Sequence, residues 1–172
     1  PGVAIVLRSD WQGVGKGVFA KYFGSLLGDH FTTVTEGRHL HGNFNAHQKK
    51  CLFLLGDEAV WGGDKRAEAK LKEMITEPTT ICEFKGKDSF QIKSFIRLML
   101  QTNSEWAAPV SLTDRRYFVL DVSEMRLNEY VFFKEVENEK KNGGAEALLN
   151  VLQHFDLSDF EVREFPDTPA RQ

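Results

Sequence analysis

The sequence has few cysteines, no long hydrophobic run and no strong excess of either charge. No apolar stretch approaches the roughly 20 residues that a membrane-spanning helix requires, and no signal peptide precedes the first apolar run, so we expect no membrane association. The 22 basic and 25 acidic residues give a formal net charge of -3. This balance excludes a basic field over the whole domain, so any surface that binds nucleic acid must be local.

The two cysteines indicate a reducing compartment. Cys51 and Cys82 both lie in apolar, strand-like runs. Two buried, small hydrophobic side chains explain these positions better than a disulfide does.

The chain has the size of one domain. Its 172 residues, 41% of them hydrophobic, are enough to bury a sizeable core. Because Pro1 and Gly2 lead directly into a predicted core strand, we expect the chain to be a piece of a longer protein. We divide it into a core, 1–158, and a C-terminal tail, 159–172, which contains two prolines and which we expect to be loosely held.

The segment 3–27 has the pattern of a phosphate-binding loop. An apolar run at 3–7 predicts a buried strand, and the apolar spacing after Lys16 predicts a helix. Glycines between the two let the backbone approach phosphate oxygens, and Lys16 would reach the β- and γ-phosphates. The predicted nucleotide-binding residues are Gly13, Val14, Gly15, Lys16, Gly17 and Val18.

The loop departs from the usual pattern G-x-x-x-x-G-K-[ST] at two of its four fixed positions. Asp10 stands where the first glycine belongs, and Gly17 stands where a magnesium-binding Ser or Thr belongs. Taken alone, the loop fits an ordinary glycine turn before a helix equally well. If it binds a nucleotide, something other than a hydroxyl at position 17 must hold the metal ion.

Strands alternating with helices predict an α/β fold with a mostly parallel sheet and helices on both faces. The predicted sheet strands are 3–7, 31–35, 51–56, 96–101 and 117–122. The predicted helices occupy 65–75 and much of 127–155, and 79–84 with 89–93 predict a β-hairpin with a basic tip.

Polar side chains follow several of these strands where each one ends. Lys16 follows the first strand, Asp57 and Glu58 follow the third, and Asn103 follows the fourth. Ligands of parallel sheets bind at the carboxyl ends of the strands, so we expect these side chains to converge. Asp57 would hold Mg²⁺, Glu58 would act as general base toward a water, and Asn103 would fix that water or contact the γ-phosphate. The alternative is an ordinary solvated strand end.

Two basic features have both a functional and an ordinary interpretation. Arg115 and Arg116 precede the last strand; they are either a surface charge cluster or an arginine finger toward a neighbouring subunit, with Arg116 the first choice. Lys85 and Lys87 at the hairpin tip either form a solvated turn or grip a DNA backbone in a ring channel.

Taken together, these motifs resemble the superfamily 3 helicases, and more narrowly the phage and plasmid primase-helicases. The similar segments correspond to that superfamily's Walker A, Walker B, hairpin, sensor-asparagine and arginine-finger motifs, and they cover most of the chain up to about residue 122. They are QGVGKGVF at 12–19, GNFNAH at 42–47, LFLLGDE at 52–58, LKEMIT to EFKGKD at 71–88, LQTN at 100–103 and DRRYFVL at 114–120.

The resemblance implies a three-layer P-loop NTPase of the AAA+ type, with sheet order 5-1-4-3-2 and an inserted hairpin. It also implies ATP and Mg²⁺ as cofactors, a ring, typically a hexamer, that hydrolyses ATP between subunits, and movement on single-stranded DNA. An N-terminal primase-like domain and a place in the cytoplasm of a microbial host, encoded by a phage or plasmid, would accompany it. Two other functions stay open: a nucleotide-binding assembly module without turnover, and a P-loop kinase for small molecules.

Overall fold

The computed structural model describes residues 2–36, 49–58, 65–82, 88–103, 114–162, 164–166 and 168–171. Lys85 and Lys87 lie outside the described residues, as does the segment 42–47. Among the described residues, no helix combines the length and the apolar character that crossing a membrane requires.

The secondary structure follows the predicted alternation of strands and helices, with boundaries that move by one or two residues. The strands are β1 (Ala4–Arg8), β2 (Phe31–Val34), β3 (Phe53–Asp57), β4 (Thr79–Cys82), β5 (Phe90–Lys93), β6 (Arg97–Thr102) and β7 (Tyr117–Asp121). The α-helices are α1 (Lys16–Ser25), α2 (Lys65–Thr76), α3 (Tyr130–Glu139) and α4 (Ala145–Gln153). Between α3 and α4 the backbone leaves the helical region at Asn142 and Gly143.

Five strands form one sheet in the order β2-β3-β6-β1-β7, and all neighbouring pairs run parallel. If these five strands alone are counted along the chain, the order read from β7 is 5-1-4-3-2. The structure is therefore an α/β fold with a parallel sheet. β4 and β5 pair separately as an antiparallel hairpin in which Thr79 lies opposite Lys93 and Cys82 opposite Phe90.

Helices cover both faces of the sheet, because its central strands are apolar on both sides. On one face, Leu7, Phe53, Leu55 and Met99 pack with Ala20 of α1. On the other face, a second cluster buries strand residues against the apolar stripe of α2; its members include Val6, Leu54, Leu100, Val119, Leu71, Met74 and Ile75. This arrangement explains the uninterrupted apolar run of β3, since strands buried on both faces do not alternate with polar residues.

Part of the tail, Phe165, Thr168 and Ala170, packs on β7 and the core, so the expectation of a loosely held tail is wrong for these residues, whereas the described residues 159–162 are exposed. The Phe165 ring lies 5.2 Å from the Phe118 ring, and the Thr168 hydroxyl donates a hydrogen bond to the Val119 carbonyl at 2.5 Å. Ala170 is 7% exposed and belongs to the core. The sequence misled because prolines signal a break in regular structure, which is compatible with close packing.

Both cysteines are buried free thiols, as predicted. Burial raises the pKa of the Cys51 thiol, so this side chain remains protonated and behaves as a small apolar residue.

Two glycines of α1 should respond oppositely to an added methyl group. A Cβ on Gly24 would lie 2.6 Å from the Phe31 ring, which stacks on Phe53, so Gly24→Ala should destabilise the fold by about 1–3 kcal/mol. A Cβ on Gly17 meets no atom closer than 3.8 Å, so Gly17→Ala should stabilise it by up to about 1 kcal/mol. Urea unfolding of both variants measures the difference, and equal effects would contradict the packing described here.

Candidate functional site

The loop between β1 and α1 requires glycine at two positions. Gly13 and Gly15 have φ values of 83° and 100°, in the left-handed region that side chains disfavour. A Cβ on Gly13 would lie 2.6 Å from Asn128 Oδ1, and a Cβ on Gly15 would lie 2.7 Å from the Phe133 ring. Residues that follow β7 therefore pack against the loop and leave no room for a side chain at either glycine.

Helix α1 begins directly after this loop. Gly15 occupies the N-cap position and offers no side chain to the first N–H groups of the helix, which begins at Lys16. Uncapped N–H groups and the helix dipole together favour an anion at this place.

Lys16 is buried and makes three hydrogen bonds. The side chain is 8% exposed. Its Nζ donates to Ser9 Oγ at 2.5 Å, to Asn103 Oδ1 at 2.6 Å and to the Trp11 carbonyl at 3.3 Å. These acceptors hold the amine at the junction of the loop and the sheet.

Asn103 connects this lysine to an acid. Its Nδ2 donates to Glu58 Oε1 at 2.6 Å, while its Oδ1 accepts from Lys16. An unbroken chain of hydrogen bonds thus runs from Lys16 through Asn103 to Glu58. The convergence expected from the strand ends is present in the structure for these three residues.

Burial lowers the pKa of the Lys16 amine from its ordinary value of 10.5, although the charges of Glu58 and Asp57 act in the opposite direction. The free-energy cost of removing the charged amine from water therefore exceeds the electrostatic stabilisation that the two carboxylates provide. An additional anion beside Lys16 would offset the remaining cost.

Glu58 has an unusual backbone conformation. Asp57 ends β3, and the next residue, Glu58, has a φ of 53°, a value that costs a non-glycine residue of order 1–3 kcal/mol. Its N–H donates to the Gln101 carbonyl at 3.0 Å, which fixes the turn. The strained turn directs the Glu58 carboxylate toward Asn103.

These residues share one cleft of about 520 Å³. All nine residues predicted for nucleotide, metal and water at the strand ends line it: Gly13, Val14, Gly15, Lys16, Gly17, Val18, Asp57, Glu58 and Asn103. The cleft has the size expected for a small-molecule ligand.

The two candidate arginines lie elsewhere. The Ala4 N–H donates to the Arg116 carbonyl, which places Arg115 and Arg116 at the amino end of the strands. Lys16 follows the other end of the five-residue β1, roughly 15 Å away. Arg116 Nη1 pairs with the Asp114 carboxylate at 3.1 Å and 3.2 Å, whereas Arg115 is exposed.

The structure adds to the site four residues that the sequence analysis did not predict. Ser9 accepts from the lysine, Gln101 lines the cleft floor, and Asn128 and Phe133 back the glycine loop. The residue type was a signal for Asn128, since asparagine tolerates the left-handed region. The structure places it there, with a φ of 56°. For the others the sequence carries no signal, because their roles depend on which strands become neighbours.

The fold and site define an α/β domain in which a glycine loop and polar strand ends surround one cleft. The chain belongs to the family of unknown function DUF5906, whose model matches residues 7–116. None of the curated proteins compared with the chain matches it.

Solved structures of the C-terminal region of NrS-1 share this fold. An apo structure of its residues 305–718 has a TM-score of 0.81 at 21% sequence identity and covers 99% of this chain. An A-form apo structure of the same region has a TM-score of 0.79 at 22% identity. The chain spans only 41% and 40% of the lengths of these two structures.

The lowered pKa of Lys16 predicts a pH-dependent stability. Because the folded protein binds this proton less tightly than the unfolded chain, wild type should gain stability relative to Lys16→Met as pH rises toward 10.5, and the gain should end above it. The free energy of unfolding in urea, measured for both proteins from neutral pH upward, tests this.

Lys134→Met, which removes an exposed lysine of α3, controls for the loss of a surface charge. A constant stability difference between wild type and Lys16→Met over the whole pH range would contradict the prediction.

Proposed function

We propose that this domain binds ATP with Mg²⁺ and hydrolyses it as the motor of a DNA helicase of the phage and plasmid type. The observation that carries the proposal is the hydrogen-bonded chain from Lys16 through Asn103 to Glu58 beside the glycine loop. A cation, a neutral amide and an acid in this order match what phosphoryl transfer to water needs: phosphate binding, orientation and a proton acceptor.

Lys16 and the uncapped N–H groups of α1 would hold the β- and γ-phosphates. Their negative charge supplies the anion that the buried amine lacks. Glu58 would orient the attacking water and accept its proton. Asn103, hydrogen-bonded to both, would keep the acid and the lysine at a fixed spacing around the γ-phosphate.

The residues present fit a magnesium ion bound together with the nucleotide. Among the residues that the structure describes, no three histidine, cysteine or acidic side chains converge as in a preformed metal site. Mg²⁺ in nucleotide sites commonly takes one or two carboxylates, waters and phosphate oxygens, and Asp57 in the cleft suits that mode. When bound, the ion would neutralise charge on the phosphates.

Arg115 and Arg116 support hydrolysis between subunits. Neither can reach the cleft of its own chain, since both lie at the opposite end of the strands. A second copy could present them to that cleft. We therefore propose a ring, most simply a hexamer, in which Arg116 is the first candidate for the finger and Arg115 the second.

The finer features of the proposal come from the resemblance to superfamily 3 helicases. These are an AAA+-like P-loop core, single-stranded DNA in the ring channel beside Lys85 and Lys87, an N-terminal primase-like domain and a cytoplasmic location. The antiparallel pairing of β4 with β5 supports the proposal of a hairpin that carries these lysines.

Gly17 favours a second candidate, an assembly module that binds a nucleotide without turning it over. The position lacks the hydroxyl that usually contacts the metal. Tight ATP binding without phosphate release by the full-length protein in the presence of DNA would select this alternative. The kinase alternative has no comparable support, because Glu58 is suited to activating water.

Replacing the proposed base should abolish hydrolysis. In the full-length protein, Glu58→Gln should lower the DNA-stimulated release of phosphate by at least about 100-fold, because the amide cannot accept the proton from water. ATP affinity should remain near that of wild type, since Lys16 and the loop are unchanged.

Glu161→Gln, which alters an exposed acid of the tail, is the matched control and should keep wild-type turnover. Stimulated turnover that survives Glu58→Gln would count against the proposed function.

Mixing two inactive variants tests the arginine finger. Lys16→Ala removes phosphate binding and Arg116→Ala removes the finger, so each protein alone should be inactive. In a mixed ring, the intact cleft of an Arg116→Ala subunit meets the intact finger of a Lys16→Ala subunit, and part of the ATPase activity should return. The same mixture with Arg115→Ala tests the second candidate. Absence of complementation in both mixtures would contradict a shared site.

A further inference from the structure

One side chain in the cleft has no role in the site described so far. Gln101 lies on β6, two residues before Asn103, and is 6% exposed. Its Oε1 is buried and accepts no hydrogen bond from any residue that the structure describes. Nearly all buried polar side-chain atoms in proteins have a partner, so an amide oxygen without one, on a residue that lines the cleft, points to a role for this side chain in ligand binding.

Gln101 lies beside the acidic residues of the proposed nucleotide site and beside the position that usually carries a metal-binding hydroxyl. It lies opposite Asp57 in the register of β3 with β6, and its carbonyl accepts from the Glu58 N–H. Its terminal amide lies beside Gly17, since a Cβ on Gly17 would be 3.8 Å from Gln101 Nε2. The amide therefore occupies the space beside the position whose hydroxyl is missing.

We propose that Gln101 replaces the Ser or Thr that is absent at position 17 and supplies a neutral oxygen to the Mg²⁺ of the bound nucleotide, directly or through a water. This inference rests on the proposed function and names a residue for it. Amide oxygens are suitable ligands for this hard cation. The structure places Nε2 nearer to Gly17, and because the last torsion of glutamine is broad and two-fold, a half-turn of the amide would present the oxygen there instead.

The Mg²⁺ dependence of nucleotide binding tests the role of Gln101. A fluorescent, non-hydrolysable ATP analogue is titrated onto the full-length protein at increasing Mg²⁺, and again in EDTA. Gln101→Leu should require about 10- to 100-fold more Mg²⁺ for the same binding, the size of effect seen when a group supporting a metal is removed. Binding in EDTA should equal that of wild type, because the phosphate contacts remain.

Two further variants separate a metal role from a packing role. Gln101→Glu retains an oxygen at this place and should bind Mg²⁺ at least as tightly as wild type. Adding Gly17→Thr to Gln101→Leu restores a hydroxyl in a space that accepts a Cβ, and should recover much of the lost Mg²⁺ affinity. Gln153→Leu, at an exposed site on α4, is the matched control, and urea unfolding checks that each variant is folded.

Wild-type Mg²⁺ dependence in folded Gln101→Leu would overturn the inference while leaving nucleotide binding intact. A loss that neither Gln101→Glu nor Gly17→Thr corrects would also overturn it, because the amide would then act only in packing. Failure of wild type to bind the analogue at any Mg²⁺ concentration would overturn the proposed function and this inference together.

Discussion

The site depends on the solvation of one buried amine. Lys16 is withdrawn from water, and nearby acceptors replace the lost water contacts, namely Ser9, the Trp11 carbonyl and Asn103. Each acceptor comes from a different part of the polypeptide: the end of β1, the loop and the end of β6. Removing any one of these acceptors would leave the buried amine with too few hydrogen-bond partners. The loop, α1 and the sheet must therefore keep the relative positions that bring the acceptors to Lys16.

The order of the strands in the sheet determines which polar side chains become neighbours of Lys16. β6 lies between β1 and β3, so the residue that follows β6 stands between those that follow the other two. Asn103 therefore bridges Lys16 and Glu58, and its amide suits the place because it accepts from the cation and donates to the acid. A charged residue here would bind one neighbour and repel the other.

The segment after β7 carries no motif, yet it shapes the loop. Asn128 and Phe133 approach Gly13 and Gly15 so closely that only glycine fits there. Steric exclusion thus imposes the same residue type that the proposed approach of a phosphate would require. The two arginines lie at the amino ends of the strands, opposite the end where Lys16, Glu58 and Asn103 meet.

Local patterns determined much of this protein. Apolar runs, helical spacing, the glycine loop and the polar residues after each strand are short-range features, and they predicted the α/β fold and the gathering of Lys16, Glu58 and Asn103. Tertiary structure decided the rest: the packing of Phe165, Thr168 and Ala170 on β7, and the positions of Gln101 and Asn128. The physical reason is that a side chain's environment is set by neighbours distant along the chain, and only the packed fold brings those neighbours together.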